Sequence, residues 1–145
     1  MSKKFDFYQD HSLRFLEMAL TSEYTEMPAK ASGYGFKRGD CGDAVEMAVV
    51  VEDGKLAWVA FATDGCLNTR ACGSCVAHLS IGKAVEEAWD ISPETVADYL
   101  ETLPPGHFHC AELAVGAFFL ALADHQRSGA KPWPRPYRSR LQEAP

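Results

Sequence analysis

Five residues of this 145-residue chain combine ligand-forming side chains with positions where regular structure starts or stops. Cys41 and Asp43 stand in "DCGD", Cys66 closes "DGC", and His109 and Cys110 adjoin in "GHFHC". Thiolates bind soft and borderline metals, and an imidazole or a carboxylate can complete a tetrahedral shell for zinc. The same sulfur ligands can hold an iron–sulfur cluster. Asp43 is the odd member, because a hard oxygen donor holds a soft cluster less firmly than sulfur does, which suits a cluster meant to leave. Gly42 and Gly65 let the backbone bend close to a metal centre. The spacings are far longer than the compact pairs of a zinc finger, so any shared site depends on tertiary convergence.

That convergence follows from the elements between these residues. The run "AVEMAVVVEDGKLAWVAFATDG" reads as two strands joined at Asp53-Gly54, a pair that accepts the positive φ angles of a tight hairpin turn. Antiparallel pairing brings the start of the first strand, near Cys41, beside the end of the second, near Cys66. Alternation in the second strand puts Ala57, Val59 and Phe61 on one face and Leu56, Trp58 and Ala60 on the other, so both faces are apolar and call for cover. A third strand is expected upstream, around 34–37, within a segment otherwise dense in glycine and proline.

Helices fill the rest. A partly amphipathic pattern over 5–20 predicts a first helix. "NTRACGSCVAHLSIG" reads as helical, and "KAVEEAWD" continues the pattern. Ser92-Pro93-Glu94 supplies a cap and an N1 proline for a further helix, which Pro104-Pro105-Gly106 stops. The last helix, over 109–126, has Glu112 as its one charge before Asp124, so most of its surface must be buried. Cys110 at its N-terminus meets unsatisfied N–H groups and the positive end of the dipole, which favour thiolate. Cys72 and Cys75 share a helix face and read first as small packed residues, with a second ligand set or a redox pair as the alternatives. His78 reads as structural, and His11 and His125 belong to no comparable cluster.

The composition, 47% hydrophobic and 23% charged, is that of one globular domain, read as residues 1–127, followed by a proline-rich basic tail over 128–145 that suits an extended, flexible arm. A net charge of −6 argues against broad attraction to nucleic acid or anionic lipid. The opening "MSKKFDFYQDHS" is too polar for a signal peptide, and the apolar run over 113–123 is too short to span a bilayer. The chain is therefore read as cytoplasmic, where five cysteines, an odd number, stay reduced and available as ligands or reactive thiols.

The order of motifs, "CGD" opening a strand, "GC" closing the next and "LPPxxxHC" opening the last helix, resembles the U-type iron–sulfur cluster assembly scaffolds, the IscU/NifU-like family, over roughly 40–125. The resemblance implies an α+β fold of the SufE/NifU-like type, with a three-stranded antiparallel sheet packed against helices and a long C-terminal helix. It implies a scaffold rather than an enzyme, on which a transient cluster, of the 2Fe-2S kind, is built from iron and desulfurase-derived sulfur and passed to apo-proteins. Cys41, Asp43, Cys66, His109 and Cys110 would surround the nascent cluster, with Cys110 as the sulfur acceptor. A cysteine desulfurase and apo iron–sulfur acceptor proteins are the implied partners. "DHSLRFLEMAL" stands where the family has an "HYxNPRN" run, so the surface that docks the sulfur donor differs. The family's chaperone-recognition segment "LPPVK" is "LPPGH" here, with His107 replacing lysine, so the resemblance does not carry a dedicated chaperone over. The residues alone leave two alternatives open: a structural or interaction protein holding zinc on the same ligands, and, ranked last, a thiol enzyme with Cys110 as nucleophile and His109 as base.

Overall fold

The computed structural model describes residues 11–129, 131 and 133–141. A three-stranded antiparallel meander, β2 (Gly33–Arg38), β3 (Ala44–Glu52) and β4 (Lys55–Thr63), forms the sheet, and a two-residue strand β1 (Lys30–Ala31) precedes it. The helices are α1 (Leu13–Leu20), α2 (Leu67–Ser80), α3 (Val85–Ala88), α4 (Pro93–Leu100) and the 20-residue α5 (Phe108–Arg127), entered through a 3₁₀ turn at Pro105–His107. Helix α5 packs on β2 and β3, and α2 packs on β4, so Val45, Met47, Val49, Val51, Val59 and Phe61 meet the helices in one core.

Local chemistry accounts for most element boundaries. Asp53 and Gly54 have φ of 52° and 75°, the left-handed pair of a tight hairpin turn, so β3 and β4 join where expected. Ser92 and Thr95 form a reciprocal capping box with Pro93 at the first turn of α4. That helix stops at Leu100, ahead of the prolines, because Glu101 turns to φ 65°. Ser12 caps α1 by accepting from the Phe15 N–H at 3.2 Å, and its hydroxyl donates to the Leu100 carbonyl at 2.9 Å, tying α1 to the end of α4. The expected earlier start of this helix, over 5–10, lies outside the described residues.

One expectation about the hairpin fails for a specific reason. The ladder shifts register between Val50 and Val51: Val50 pairs with Trp58 and Val51 with Leu56, leaving Ala57 as the extra residue of a β-bulge. The slip carries Leu56 to the helix-facing side, where it is fully buried with Val59 and Phe61, while Ala57 is exposed. The apolar run over 113–123 lies within α5, whose bounds match the expected 109–126 to within a residue at each end. Pro105–Arg127 is long and apolar enough to cross a bilayer by length and composition, yet here Leu113, Ala114, Ala117, Phe118, Ala121 and Leu122 are buried against the domain's own core.

The opposite face of the sheet is covered by residues 133–141. Residues 135–136 form β5, which pairs antiparallel with β1, and Tyr137 donates to the Pro28 carbonyl and stacks on Tyr34 with ring centroids 5.1 Å apart. The anchor is Glu46, fully buried on β3. Its carboxylate accepts from the hydroxyls of Tyr34 and Ser139 and from the backbone N–H groups of Arg140 at 2.9 Å and Leu141 at 3.3 Å. Residues 133–141 lie as a strap on the domain.

The weak signal for β2 has its explanation in Gly33 and Gly35, whose side of the strand lies against the α5 backbone. A Cβ at Gly35 would sit 2.4 Å from the Ala117 carbonyl oxygen and 2.5 Å from the Ala121 nitrogen, and one at Gly33 would sit 2.2 Å from the Ala121 carbonyl oxygen. Backbone atoms of a packed helix cannot retreat as a side chain could, so Gly35→Ala should destabilise the domain by about 3 kcal/mol. Gly106→Ala, at a position open to solvent with no positive φ, should change stability far less. Urea denaturation of both variants tests the pair, and equal midpoints would refute the close approach.

Candidate metal centre

Three chain segments meet at one end of the sheet. The first is the loop 39–43, held as a tight turn by Gly39 N–H to the Asp43 carbonyl at 2.8 Å and Gly42 N–H to the Gly39 carbonyl at 3.0 Å, with Gly42 at φ 94°. The second is the exit of β4. Asp64 Oδ1 accepts from the Ala44 N–H at 2.8 Å and Thr63 donates to the Ala44 carbonyl at 2.6 Å, which locks the exit of β4 to the start of β3. The third is the 3₁₀ turn and first turn of α5, carrying His107, His109 and Cys110. A salt bridge of 3.6 Å between Arg38 and Asp64 spans the rim, half-exposed and so of small energetic weight.

Gly65 shows how tightly the first two segments fit. A Cβ there would lie 3.0 Å from Asp43 Oδ2 and 2.8 Å from Thr69 Oγ1, so glycine admits the carboxylate to the edge of the cysteine that follows. Cys66 is the N-cap residue of α2, with φ −78° and ψ −177°. Thr69, one turn on and buried, donates its hydroxyl to Cys110 Sγ at 3.4 Å and stands 3.9 Å from Cys66 Sγ, linking the two sulfurs.

The two thiols differ in the way opposite to the helix-dipole expectation. Cys110 lies within the first turn of α5 and is 1% exposed. Burial pushes its thiol up against the help of the Thr69 hydrogen bond, and the nearby Cys66, Asp43 and Cys41 raise it further. Cys66 occupies a true cap position and is exposed. Burial acts upward there too, but hydrogen bonds from the backbone N–H groups of Thr69 and Asn68, with their side chains in support, outweigh it and bring the thiol below its ordinary value. The helix N-terminus that favours a thiolate is therefore that of α2.

Of the residues singled out from sequence, Cys66 and Cys110 come together, with Cys41 and Asp43 near enough for their charges to act on Cys110. His109 Nε2 is 3.7 Å from Cys110 Sγ, but its side chain is exposed and lines a groove with Arg38, Asp40 and Glu112. The imidazole that closes a group with both sulfurs is His107: its ligand atom and those of Cys66 and Cys110 all lie within 4.8 Å of one another. By sequence His107 stands out only as the replacement of a lysine. The available signal was H-x-x-C across a helix start, since residues three apart share a face and adjacent ones do not. Thr69 gave no sequence signal. Two thiolates, an imidazole, and a carboxylate and a further thiol at the margin form a donor set that fits iron, zinc or an iron–sulfur cluster.

Cys72 and Cys75 are fully buried in α2 and lie outside this group. Cys75 donates to the Val96 carbonyl at 3.9 Å, and a Cβ at the intervening Gly73 would strike the Phe61 ring at 2.6 Å, so this face is close packing against β4 and α4. Burial raises both thiols, Cys75 to about 12. His78 bonds the Tyr24 hydroxyl at 3.0 Å, a structural role as expected.

Residues 25–131 match the family model described as the NifU-like N terminal domain. The chain is 34% identical over 91 residues to the iron-sulfur cluster assembly scaffold protein IscU 1 of Archaeoglobus fulgidus, covering 63% of this chain and 60% of that protein. It is 37% identical over 87 residues to the iron-sulfur cluster assembly scaffold protein IscU of Escherichia coli K12, covering 59% of this chain and 67% of that one. The crystal structure of a nitrogen-fixing NifU-like protein (N-terminal) from Brucella abortus superposes with a TM-score of 0.66 at 17% identity, over 80% of this chain and 94% of that one. This chain thus spans about 60% of the length of the Archaeoglobus relative. Fold, motif order and a family match over most of the chain agree, and the protein belongs to the NifU-like N-terminal domain family.

Proposed function

We propose that this protein is a scaffold on which a transient iron–sulfur cluster is assembled from iron and desulfurase-derived sulfur and then passed to apo-proteins. The observation that carries the reading is the meeting of sulfur, imidazole and carboxylate donors from three chain segments at an open rim of the sheet, in a member of this family. The names of the Archaeoglobus and Escherichia relatives support it. The cluster is cargo. Cys41, Asp43, Cys66, His109 and Cys110 surround it, and a 2Fe-2S unit suits a rim with more ligands than one ion takes. A cysteine desulfurase supplies the sulfur and apo iron–sulfur proteins receive the product. Five free thiols fit a reducing compartment, and we place the reaction in the cytoplasm.

Sulfur arrives on Cys110. Its thiolate attacks the outer sulfur of the donor's persulfide, the donor cysteine leaves as thiolate, and the proton of Cys110 passes to an imidazole, with His109 Nε2 at 3.7 Å and His107 Nδ1 at 4.0 Å. Two electrons from an external reductant then convert that sulfur to sulfide. Because Cys110 is buried, its acceptance depends on the rim opening to the donor, whereas exposed Cys66 is the ready metal-binding thiolate.

Alkylation of the metal-free, reduced protein should follow this order. Cys66 reacts readily at neutral pH. Cys110 reacts more slowly and gains rate as pH rises, since its thiol is shifted up, and Cys72 and Cys75 react only on unfolding. Peptide mass spectrometry with iodoacetamide reads the order, and Cys110 labelling first at neutral pH would contradict it. Cys110→Ser should abolish persulfide formation with a desulfurase and cysteine while the fold persists; undiminished persulfide would remove Cys110 as acceptor.

The scaffold reading is tested most sharply at Asp43. Removing a weak oxygen ligand leaves a more sulfur-rich and less exchangeable site, so Asp43→Ala should hold its cluster longer and transfer it more slowly. Anaerobic reconstitution with iron and a desulfurase, followed by transfer to an apo-ferredoxin, measures both. No cluster in the wild type, or faster loss in the variant, would overturn the reading.

A further inference from the structure

The site contains two histidines beside one cysteine, and they are placed for different work. His107 ends the 3₁₀ turn Pro105–His107 and is the N-cap residue of α5, three positions before Cys110. Positions i and i+3 share a face at the start of an α-helix, so the imidazole and the thiol lie on one side of it. His107 Nδ1 lies 4.0 Å from Cys110 Sγ, and Cys66 Sγ completes a triangle with no side beyond 4.8 Å. In a tetrahedral zinc or iron(II) site of two thiolates and an imidazole, donor atoms stand about 3.5–3.8 Å apart. The longest side of the triangle, at most 4.8 Å, exceeds that spacing by roughly an ångström. His107 is half-buried, whereas His109 is exposed on the groove that holds Arg38, Asp40 and Glu112.

We infer that Cys66, His107 and Cys110 form a three-donor cup that takes up a single divalent metal ion, with His107 rather than His109 as its imidazole ligand. The inference deepens the scaffold reading and rests on it for the ion's identity as iron(II), the first component of the cargo. Three protein donors leave the fourth position open, as in zinc sites that exchange a ligand. Cys41 and Asp43 stand near Cys110 but outside the closed group, placed to join when a second metal and sulfide enlarge the contents. The cup belongs to this sequence in particular: His107 occupies the position of the lysine in the "LPPVK" run it otherwise resembles. The substitution that removes that lysine adds a ligand. His109 remains beside Cys110, where it can carry the proton that sulfur acceptance releases.

The decisive measurement is long-range ¹H–¹⁵N imidazole spectroscopy of the anaerobic, reduced wild-type chain titrated with zinc(II), a diamagnetic stand-in for iron(II). The expected result is a coordination shift at His107 Nδ1 at one equivalent, with His109 nitrogens keeping the pattern of an unligated ring. Competition with a chromophoric chelator should show His107→Ala weakening zinc by at least about tenfold and His109→Ala by less. Cobalt(II) should give sulfur-to-metal charge transfer in wild type and His109→Ala, with the ligand-field bands altered in His107→Ala. Circular dichroism checks the fold of each variant, and if His107→Ala does not fold the wild-type spectrum decides. Coordination through His109 with His107 unligated, or wild-type affinity in folded His107→Ala, would overturn the inference. The two readings fail separately: zinc held through His107 in a chain that never builds a cluster ends the scaffold reading alone, and cluster assembly with zinc held through His109 ends this one alone.

Discussion

The contact on which the rest depends is the laying of α5 directly on the backbone of β2. Down this seam Gly33 meets Ala121 and His125, Gly35 meets Ala117 and Ala121, Lys37 meets Gly116, and Gly39 meets Leu113, so strand and helix run in opposite senses. Six strand steps cover about 20 Å, and the twelve helix steps from Leu113 to His125 cover about 18 Å. Matched lengths keep the two elements in step to the end, and the start of α5 arrives where β2 turns into the loop 39–43. With larger residues in place of the glycines the helix would stand off, and His107 and Cys110 would move away from Cys66 with it.

That placement produces a site with an inner and an outer sulfur. Cys110 is sealed under Thr69 and the core of α5, while Cys66 sits on a helix cap with backbone donors around it. Similar chemistry in unlike solvation separates their roles: one sulfur binds metal readily, and the other is shielded until the rim opens. The rim loops contain Gly42 and Gly65, residues that permit tight turns and close approach, which suits a site that must admit components and release a product.

The far face of the sheet is governed by a different constraint. Glu46 points away from the helices on a strand whose alternate residues are core, and a carboxylate there needs partners. The strap supplies them from Ser139, Arg140 and Leu141, the sheet supplies Tyr34, and the Arg140 guanidinium lies 4.0 Å over the Phe36 ring. Residues 133–141 thereby close the sheet, and the apolar faces of Tyr34 and Tyr137 are covered by each other.

The sequence by itself determined what short-range chemistry controls. Asp53-Gly54 dictated the turn, Ser92-Pro93 the cap, the alternation in 44–63 the hairpin, and the hairpin brought Cys41 and Cys66 to one end; the apolar length of α5 required burial. Tertiary structure decided what depends on atoms distant in the chain. Leu56 changed face because a bulge shifted the ladder, and β2 was faint because its glycines answer to a helix more than eighty residues away. Cys110 lost its thiolate character because burial outweighs the helix terminus, a balance no local pattern records. Glu46 and its strap, separated by more than ninety residues, left no mark in composition. Between the two histidines, adjacency to Cys110 favoured His109 on paper, whereas the turn of the helix brings His107 into the group with Cys66, because side-chain direction follows backbone geometry and not sequence distance.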